Sequence, residues 1–259
     1  MTAFSTVVGI TRASLRVLRA QPRLALFPLL GFATTGGLLV LFLPGLGDPV
    51  SWLVLAFLYF AVHGVAVFFS AALVSEALRA LRGESISVAG GLDCATSRIG
   101  ALAGYAAIES TVGLVLGALA RPGRSARWVA RGIFGTAWSL VSYLVLPVLI
   151  AERRGAYASL RRSGELFRHT WGETTLSEIG FRIATVHLLV AVIVVCLLIA
   201  RLVADPVAVA LAILFIVGFA VLACTLQAIY RAALYIFAAE GVVADEFDTL
   251  DMHEVWRVK

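Results

Sequence analysis

The sequence predicts an all-helical bundle that crosses a membrane about six times and carries amphipathic helices on its cytoplasmic side. Two observations predict this class. The chain of 259 residues is 61% hydrophobic and 14% charged, whereas a soluble domain is about 45–50% apolar and about 25% charged. The apolar residues are also gathered into six stretches, each close to the roughly 20 residues that a helix needs to span hydrocarbon. So apolar a chain has too few polar residues to cover a water-facing surface.

The six predicted spans follow one another as three hairpins. Pro44 and Pro49 separate the first pair of spans and Pro206 the last pair, because proline disfavours helical geometry in the residue before it. Residues 1–239 therefore form the predicted bundle, and residues 240–259 form a short acidic cytoplasmic tail. The predicted spans are residues 24–43, 51–74, 99–120, 133–151, 183–203 and 207–229.

The basic residues predict the orientation of the bundle. With the N-terminus in the cytoplasm, sixteen of the 21 Lys and Arg residues fall in cytoplasmic segments, as the positive-inside rule requires. Both termini are then cytoplasmic, and the protein is a multi-pass protein of the cell membrane. The basic loop at residues 121–132 is the exception. This topology places it outside, either at the outer interface or within a re-entrant pair formed by spans three and four.

Two segments, residues 1–23 and 153–172, have the periodicity of amphipathic helices. Helices of this kind lie in the headgroup plane with their arginines near anionic lipid, where they orient and brace a bundle. The sharper hypothesis is a surface that docks a cytoplasmic partner or a lipid headgroup. The candidate residues of this surface are Arg154, Tyr157, Arg161, Phe167 and Trp171.

Polar residues within the spans predict an intramembrane site. An ionisable group at the centre of a bilayer costs about 2.5–3.5 kcal/mol, so each one needs a reason. Spans two and three run antiparallel, so His63 and Glu109 reach a similar depth, and we expect them to interact or to line one polar cavity. The other interpretation is ordinary packing, with a protonated Glu109 hydrogen-bonded to a neighbour and with hydroxyls and Pro147 in a kinked span four. The candidate residues are Glu109, His63, Tyr105, Ser142 and Tyr143.

The sequence gives no sign of an enzyme, a metal or a cofactor. It contains no phosphate-binding loop, zinc-protease motif, nucleophile elbow or dinucleotide fingerprint. Its cysteines, Cys94, Cys196 and Cys224, lack ligand spacing. The formal net charge of +5 follows from membrane topology, so we expect no nucleic acid. The expected partners are the lipid bilayer and either another membrane protein or a second copy of the chain.

Four segments together resemble a known family. They are residues 23–30, 66–106, 137–173 and 231–237, and they are similar to an uncharacterised family of prokaryotic membrane proteins, a domain of unknown function found in haloarchaea and bacteria. The resemblance implies the same multi-helix architecture and assigns no catalytic or ligand residue. Its most distinctive marks are Arg82-Gly83-Glu84, Ala137-Trp138-Ser139, Pro147, Ser163 and Trp171-Gly172-Glu173.

The leading functional hypothesis is a structural or accessory membrane protein, either a subunit or an assembly partner, which uses its amphipathic cytoplasmic helices for contact. The alternative is a small-solute or proton-linked transporter or channel with a polar cavity around Glu109. A third hypothesis, a lipid-binding or lipid-modifying protein, depends on the arginine-rich cytoplasmic face.

Overall fold

The computed structural model describes residues 3–42, 44, 51–119, 125–171 and 206–248. Within these ranges the chain forms helices and no strands, which confirms the all-helical class. Two short 3₁₀ helices lie at Pro22–Ala25 and Asp245–Phe247. The α-helices are α1 (Ala3–Ala20), α2 (Leu26–Phe42), α3 (Trp52–Leu81), α4 (Val88–Ser97), α5 (Ile99–Leu119), α6 (Ser125–Ser142), α7 (Val145–Ala151), α8 (Ala156–Trp171) and α9 (Pro206–Glu240).

Five helical segments of the described chain are long and apolar enough to cross a membrane, and each overlaps one of the six predicted spans, although two continue to Leu81 and Glu240, past the predicted ends at residues 74 and 229. The remaining predicted span, residues 183–203, lies outside the described residues. The predicted basic loop is partly helical, because α6 already begins at Ser125. The five segments are Pro22–Phe42, Trp52–Leu81, Ile99–Ala118, Phe134–Ala151 and Ala210–Glu240.

Helix α3 is the centre of the bundle. It packs against α2, α4, α5, α7 and α9. Every side chain from Ala71 to Leu78 is buried, whereas Trp52 and Leu53 at the start of the helix are 76% and 84% exposed. One half of the helix is therefore enclosed by protein, and the other half offers an apolar surface suited to lipid.

The other helices also bury the side chains of one end and expose those of the opposite end. Buried residues concentrate where the C-terminal halves of α3 and α9 meet α4, α7 and the inward faces of α1 and α8. We call this region the packed end of the bundle. At the opposite end, apolar side chains such as Val40 and Leu214 are 77% and 68% exposed. An exposed apolar area of this extent is typical of a surface that meets lipid or protein.

Helix α1 belongs to the packed end. It lies against α9 and against the 3₁₀ helix that follows α9. Ile10, Ala13 and Val17 are buried on its inner face, whereas Arg12 and Arg16 are exposed. The amphipathic pattern of the first segment is therefore used to cover the core, with its arginines directed away from it.

The C-terminus of α3 is closed by a Schellman motif. Gly83 has φ of +72°, its N–H donates to the carbonyl of Ala80, and the N–H of Glu84 donates to the carbonyl of Arg79. These two bonds satisfy carbonyls that the helix end would leave free, and only glycine adopts this backbone conformation without strain. The Arg82-Gly83-Glu84 sequence is thus explained as the stop signal of the central helix.

Candidate functional site

Tyr59 joins α3 to α5 at the level of the predicted intramembrane site. Its hydroxyl donates to the carbonyl of Ser110 at 3.0 Å. A Cβ on Gly113 would lie 3.0 Å from the Tyr59 hydroxyl oxygen. Nδ1 of His63 lies 3.0 Å from the Tyr59 carbonyl, so a proton on Nδ1 completes a hydrogen bond. The two rings are in contact, with centroids 4.5 Å apart. His63 therefore uses one ring nitrogen within its own helix.

Glu109 immediately precedes Ser110, the residue whose carbonyl accepts the Tyr59 hydroxyl. It is half-buried, and Tyr105, one turn closer to the packed end, is buried. Glu109 and His63 thus flank the same contact between α3 and α5. Tyr59 lies between them, with its hydroxyl bonded to Ser110 and its carbonyl to His63. A direct interaction between Glu109 and His63 stays a prediction.

Span four is interrupted where the sequence places hydroxyls and a proline. Helix α6 ends at Ser142 and α7 begins at Val145, because Pro147 has no N–H to donate to the carbonyl of Tyr143. Within this break, the N–H of Leu144 donates to the Ser163 hydroxyl at 3.1 Å, in a buried hydrogen bond. Ser163 and Pro147, both marks of the family resemblance, therefore serve one feature: a break in span four that is fixed to α8.

The two candidate residues of span four, Ser142 and Tyr143, both have partners within the protein. The Ser142 hydroxyl donates to the carbonyl of Ser139 at 3.4 Å. Tyr143 is buried, and the guanidinium carbon of Arg231 lies 5.1 Å from the centroid of its ring. This is cation–π distance. Tyr143 therefore contacts α9.

Glu76 is the polar residue that the sequence analysis missed. Its side chain is 1% exposed, and its Oε2 accepts the N–H of Ser87, the N-cap residue of α4, at 2.6 Å. Arg79 lies 3.5 Å from the other carboxylate oxygen and also pairs with Glu84 at 3.1 Å. The carboxylate thus sits at the positive end of the α4 dipole beside a guanidinium.

The close approach of α4 to Glu76 depends on glycine. A Cβ on Gly91 would lie 2.7 Å from Cζ of Phe27 and 2.8 Å from Cγ of Glu76. Distances this short require one of the neighbours to shift. The sequence signal was an acidic residue with Arg79 at i+3 and a Gly-Gly pair downstream, and together these identify a buried joint between α3 and α4.

Ion pairs connect further helix ends at the packed end. Arg82, just after α3, pairs with Glu240 at the end of α9. Glu152, just after α7, accepts from Nε of Arg162 on α8 at 3.2 Å. Pairs at this level of exposure contribute about 0–1 kcal/mol each. Their consequence is geometric, since they fix neighbouring helix ends relative to one another.

Helix α8 has an inner face that is part of the core. Ser159, Ser163 and Phe167 are buried there, and Gly164 lies against Val141 of α6. Phe167, which the sequence assigned to a docking surface, is therefore packed inside the protein. Trp171 ends the helix, and its side chain lies outside the described part of the structure.

The outer face of α8 is exposed and mostly basic. Tyr157 is 76% exposed, and one turn further along, Arg161 is 75% exposed. Nε of Arg161 donates to Glu165 at 2.9 Å. This hydrogen bond lowers the pKa of the Glu165 carboxyl below its ordinary value of 4.5, and the charge of Arg161 lowers it further. Arg154 is exposed at the start of this face, where its carbonyl accepts from Arg98 at 2.7 Å.

Metal binding finds no support in the ranges that the structure covers, where no group of three His, Cys, Asp or Glu side chains is placed to hold an ion. Cys94 and Cys224 are free thiols.

Comparison with known protein families gives a match. The model of a family described as "Family of unknown function (DUF6159)" matches residues 50–245. This stretch covers most of the chain, including Glu76, the break in span four and α8. The match confirms the resemblance to an uncharacterised family. No curated protein and no solved structure matches.

Proposed function

We propose that this chain, which belongs to the family of unknown function DUF6159, is a non-catalytic accessory protein of a membrane that holds an acidic partner protein at its packed end. The observation that carries the proposal is the division of α8 into two faces. One face is buried in the core, and the other presents an exposed tyrosine among arginines. Among the residues that the structure describes, none covers this second face, which the rest of the chain supports.

The anchoring of α8 supports this role. The helix is bonded to the break in span four through Ser163, to the end of α7 through Arg162, and to the start of α5 through the Arg154 carbonyl. A binding surface held by three elements loses little conformational entropy when a partner arrives. Rigidity of this kind suits a scaffold better than a moving gate.

The composition of the outer face supports an acidic partner. Tyr157 and Arg161 belong to the residue types enriched at the centres of protein interfaces. Arg153 and Arg168 are also exposed, Arg154 pairs with Glu152 at 2.6 Å, and Glu165, the single acidic side chain on α8, pairs with Arg161. The unbalanced positive charge favours a carboxylate-rich surface.

The surroundings of the predicted intramembrane site favour this role over transport. A solute path needs polar groups that face an open cavity. The Tyr59 hydroxyl and one nitrogen of His63 are instead bonded to backbone carbonyls within the contact between α3 and α5. Polar groups used in this way strengthen helix packing.

Site-specific crosslinking tests the proposal. A photoreactive amino acid at Tyr157 should capture one acidic membrane protein, and the same amino acid at Leu53, which is exposed at the opposite end, should not. Arg154→Glu together with Arg161→Glu should abolish the crosslink, whereas Arg12→Glu on α1 should leave it intact. A crosslink that survives reversal of both α8 charges, or equal capture from Leu53, would contradict the proposal.

A further inference from the structure

A second feature, independent of α8, lies on another side of the bundle. α2, α3 and α9 enclose a cavity of about 210 Å³. Its walls are mostly apolar, with Phe32 and Phe69 among them. The polar side chains are those of Thr35, Ser70, Cys224, Gln227 and Arg231. The wall residues Phe32 and Ala66 are exposed, so the cavity opens toward the surface that faces lipid.

Arg231 is the unusual member of this cavity. Its Nε atom is buried and has no hydrogen-bond partner, while the guanidinium lies over the ring of Tyr143. In the part of the chain that the structure describes, no carboxylate lies within ion-pair distance of Arg231. A buried guanidinium donor without an acceptor is costly, because it has given up its bonds to water. An anion in the cavity would remove that cost.

The position of Arg231 along α9 indicates where such an anion comes from. The residue lies two positions beyond the predicted hydrocarbon span 207–229, toward the packed end. Arginine at this depth reaches the level of the lipid phosphates with its charge while its stem stays in apolar surroundings.

The size of the cavity separates a lipid from a free solute. A pocket that encloses a whole small molecule measures about 300–1,000 Å³, and this one is smaller. It suffices for a headgroup whose acyl chains stay outside, along the exposed apolar side chains of α2. The opening toward lipid fits the same interpretation.

We infer that this cavity binds the headgroup of an anionic phospholipid, with Arg231 donating to the phosphate and Gln227 and Ser70 supplying further polar contacts. The acyl chains lie against Phe32 and the neighbouring surface of α2. Bound lipid would join three helices that meet here and would stabilise the bundle in a way that depends on the headgroup. This lipid site and the partner surface of α8 are independent of each other.

The test uses the purified full-length chain in detergent. Phosphatidylglycerol should raise the thermal unfolding midpoint more than phosphatidylcholine does, and it should remain bound in native mass spectrometry. Arg231→Gln should weaken phosphatidylglycerol binding about tenfold to hundredfold, the loss expected when hydrogen bonds to a charged group are removed. Arg161→Gln, on the exposed face of α8, should bind as the wild type does.

A second variant protects the test against misfolding of the first. Ala66→Phe introduces a large side chain at an exposed wall position and leaves Arg231 in place, so it should block the lipid without unfolding the chain. Unchanged phosphatidylglycerol binding in Ala66→Phe or in a folded Arg231→Gln would overturn the inference. So would inorganic phosphate that raises the unfolding midpoint as much as phosphatidylglycerol, since the anion would then be a solute.

Discussion

Replacing Glu76 should loosen the joint between α3 and α4 more than any surface change at the packed end. Glu76→Ala removes the charged acceptor of the Ser87 N–H, and a hydrogen bond to a charged group contributes about 1.5–3 kcal/mol. It also removes one of the two carboxylates beside Arg79, which is partly exposed and keeps Glu84 as a partner. The lost hydrogen bond therefore dominates, and we expect a total cost of about 2–3 kcal/mol.

Two further variants separate the hydrogen bond from the charge. Glu76→Gln keeps an oxygen for the Ser87 N–H but makes this acceptor neutral, so it should cost about 1 kcal/mol, the difference between a charged and a neutral hydrogen bond. Glu84→Gln removes the exposed partner of the same arginine and should cost about 0–1 kcal/mol. The free energy of unfolding is measured by circular dichroism during titration of mixed micelles with a denaturing detergent. A Glu76→Ala protein as stable as the wild type, or a Glu76→Gln protein as unstable as Glu76→Ala, would refute this reasoning.

Three other predictions follow from the same packed end. Gly91→Ala should destabilise the protein by about 1–3 kcal/mol through overpacking. Gly100→Ala, with open space around its Cβ position, should be neutral or stabilising. Equal effects of the two substitutions in the same titration would argue against the close contact at Gly91. Ser163→Ala should cost about 1–3 kcal/mol by leaving a buried N–H unsatisfied, and Ser142→Ala, which loses only a long hydrogen bond, should cost about 0.5 kcal/mol or less. Because the pKa of Glu165 is lowered in the folded chain, its contribution is present above pH 4.5 and is lost as the pH falls through the folded value. Unfolding midpoints measured between about pH 3 and pH 6 should therefore fall less steeply in Glu165→Gln, and an unchanged slope would count against the ion pair.

Much of the fold could be predicted from the sequence because membrane spans leave a strong local signal. About 20 consecutive apolar residues have few alternatives to a helix in hydrocarbon, so five predicted spans overlap the helices and three of them agree closely in both bounds. The helices that end at Leu81 and Glu240 continue past the predicted ends at residues 74 and 229. The break in span four could also be expected, because Pro147 removes a backbone donor whatever its surroundings. The amphipathic patterns of α1 and α8 identified them as helices with one apolar face, but they predicted a position in the headgroup plane, whereas the structure buries that face in the core.

The neighbours of each helix could not be predicted in the same way. Apolar helix surfaces are interchangeable by composition, so the sequence does not say that α3 is central or that α4 closes over its end. Glu76 escaped notice because an acidic residue at the end of a span normally reaches water. Phe167 shows the converse limitation: periodicity places it on an apolar face, and only the tertiary structure shows that this face is covered.

The central claim is that the packed end lies on one side of the membrane, and that the spans, with their exposed apolar side chains, cross toward the other side. It is tested most directly with single cysteines at Ser85, Tyr157 and Trp52, in a chain whose native cysteines are replaced by alanine. In intact cells treated with a membrane-impermeant maleimide, Trp52 should be labelled, whereas Ser85 and Tyr157 should react only after the membrane is permeabilised. Labelling of Ser85 and Tyr157 from opposite sides would contradict the account.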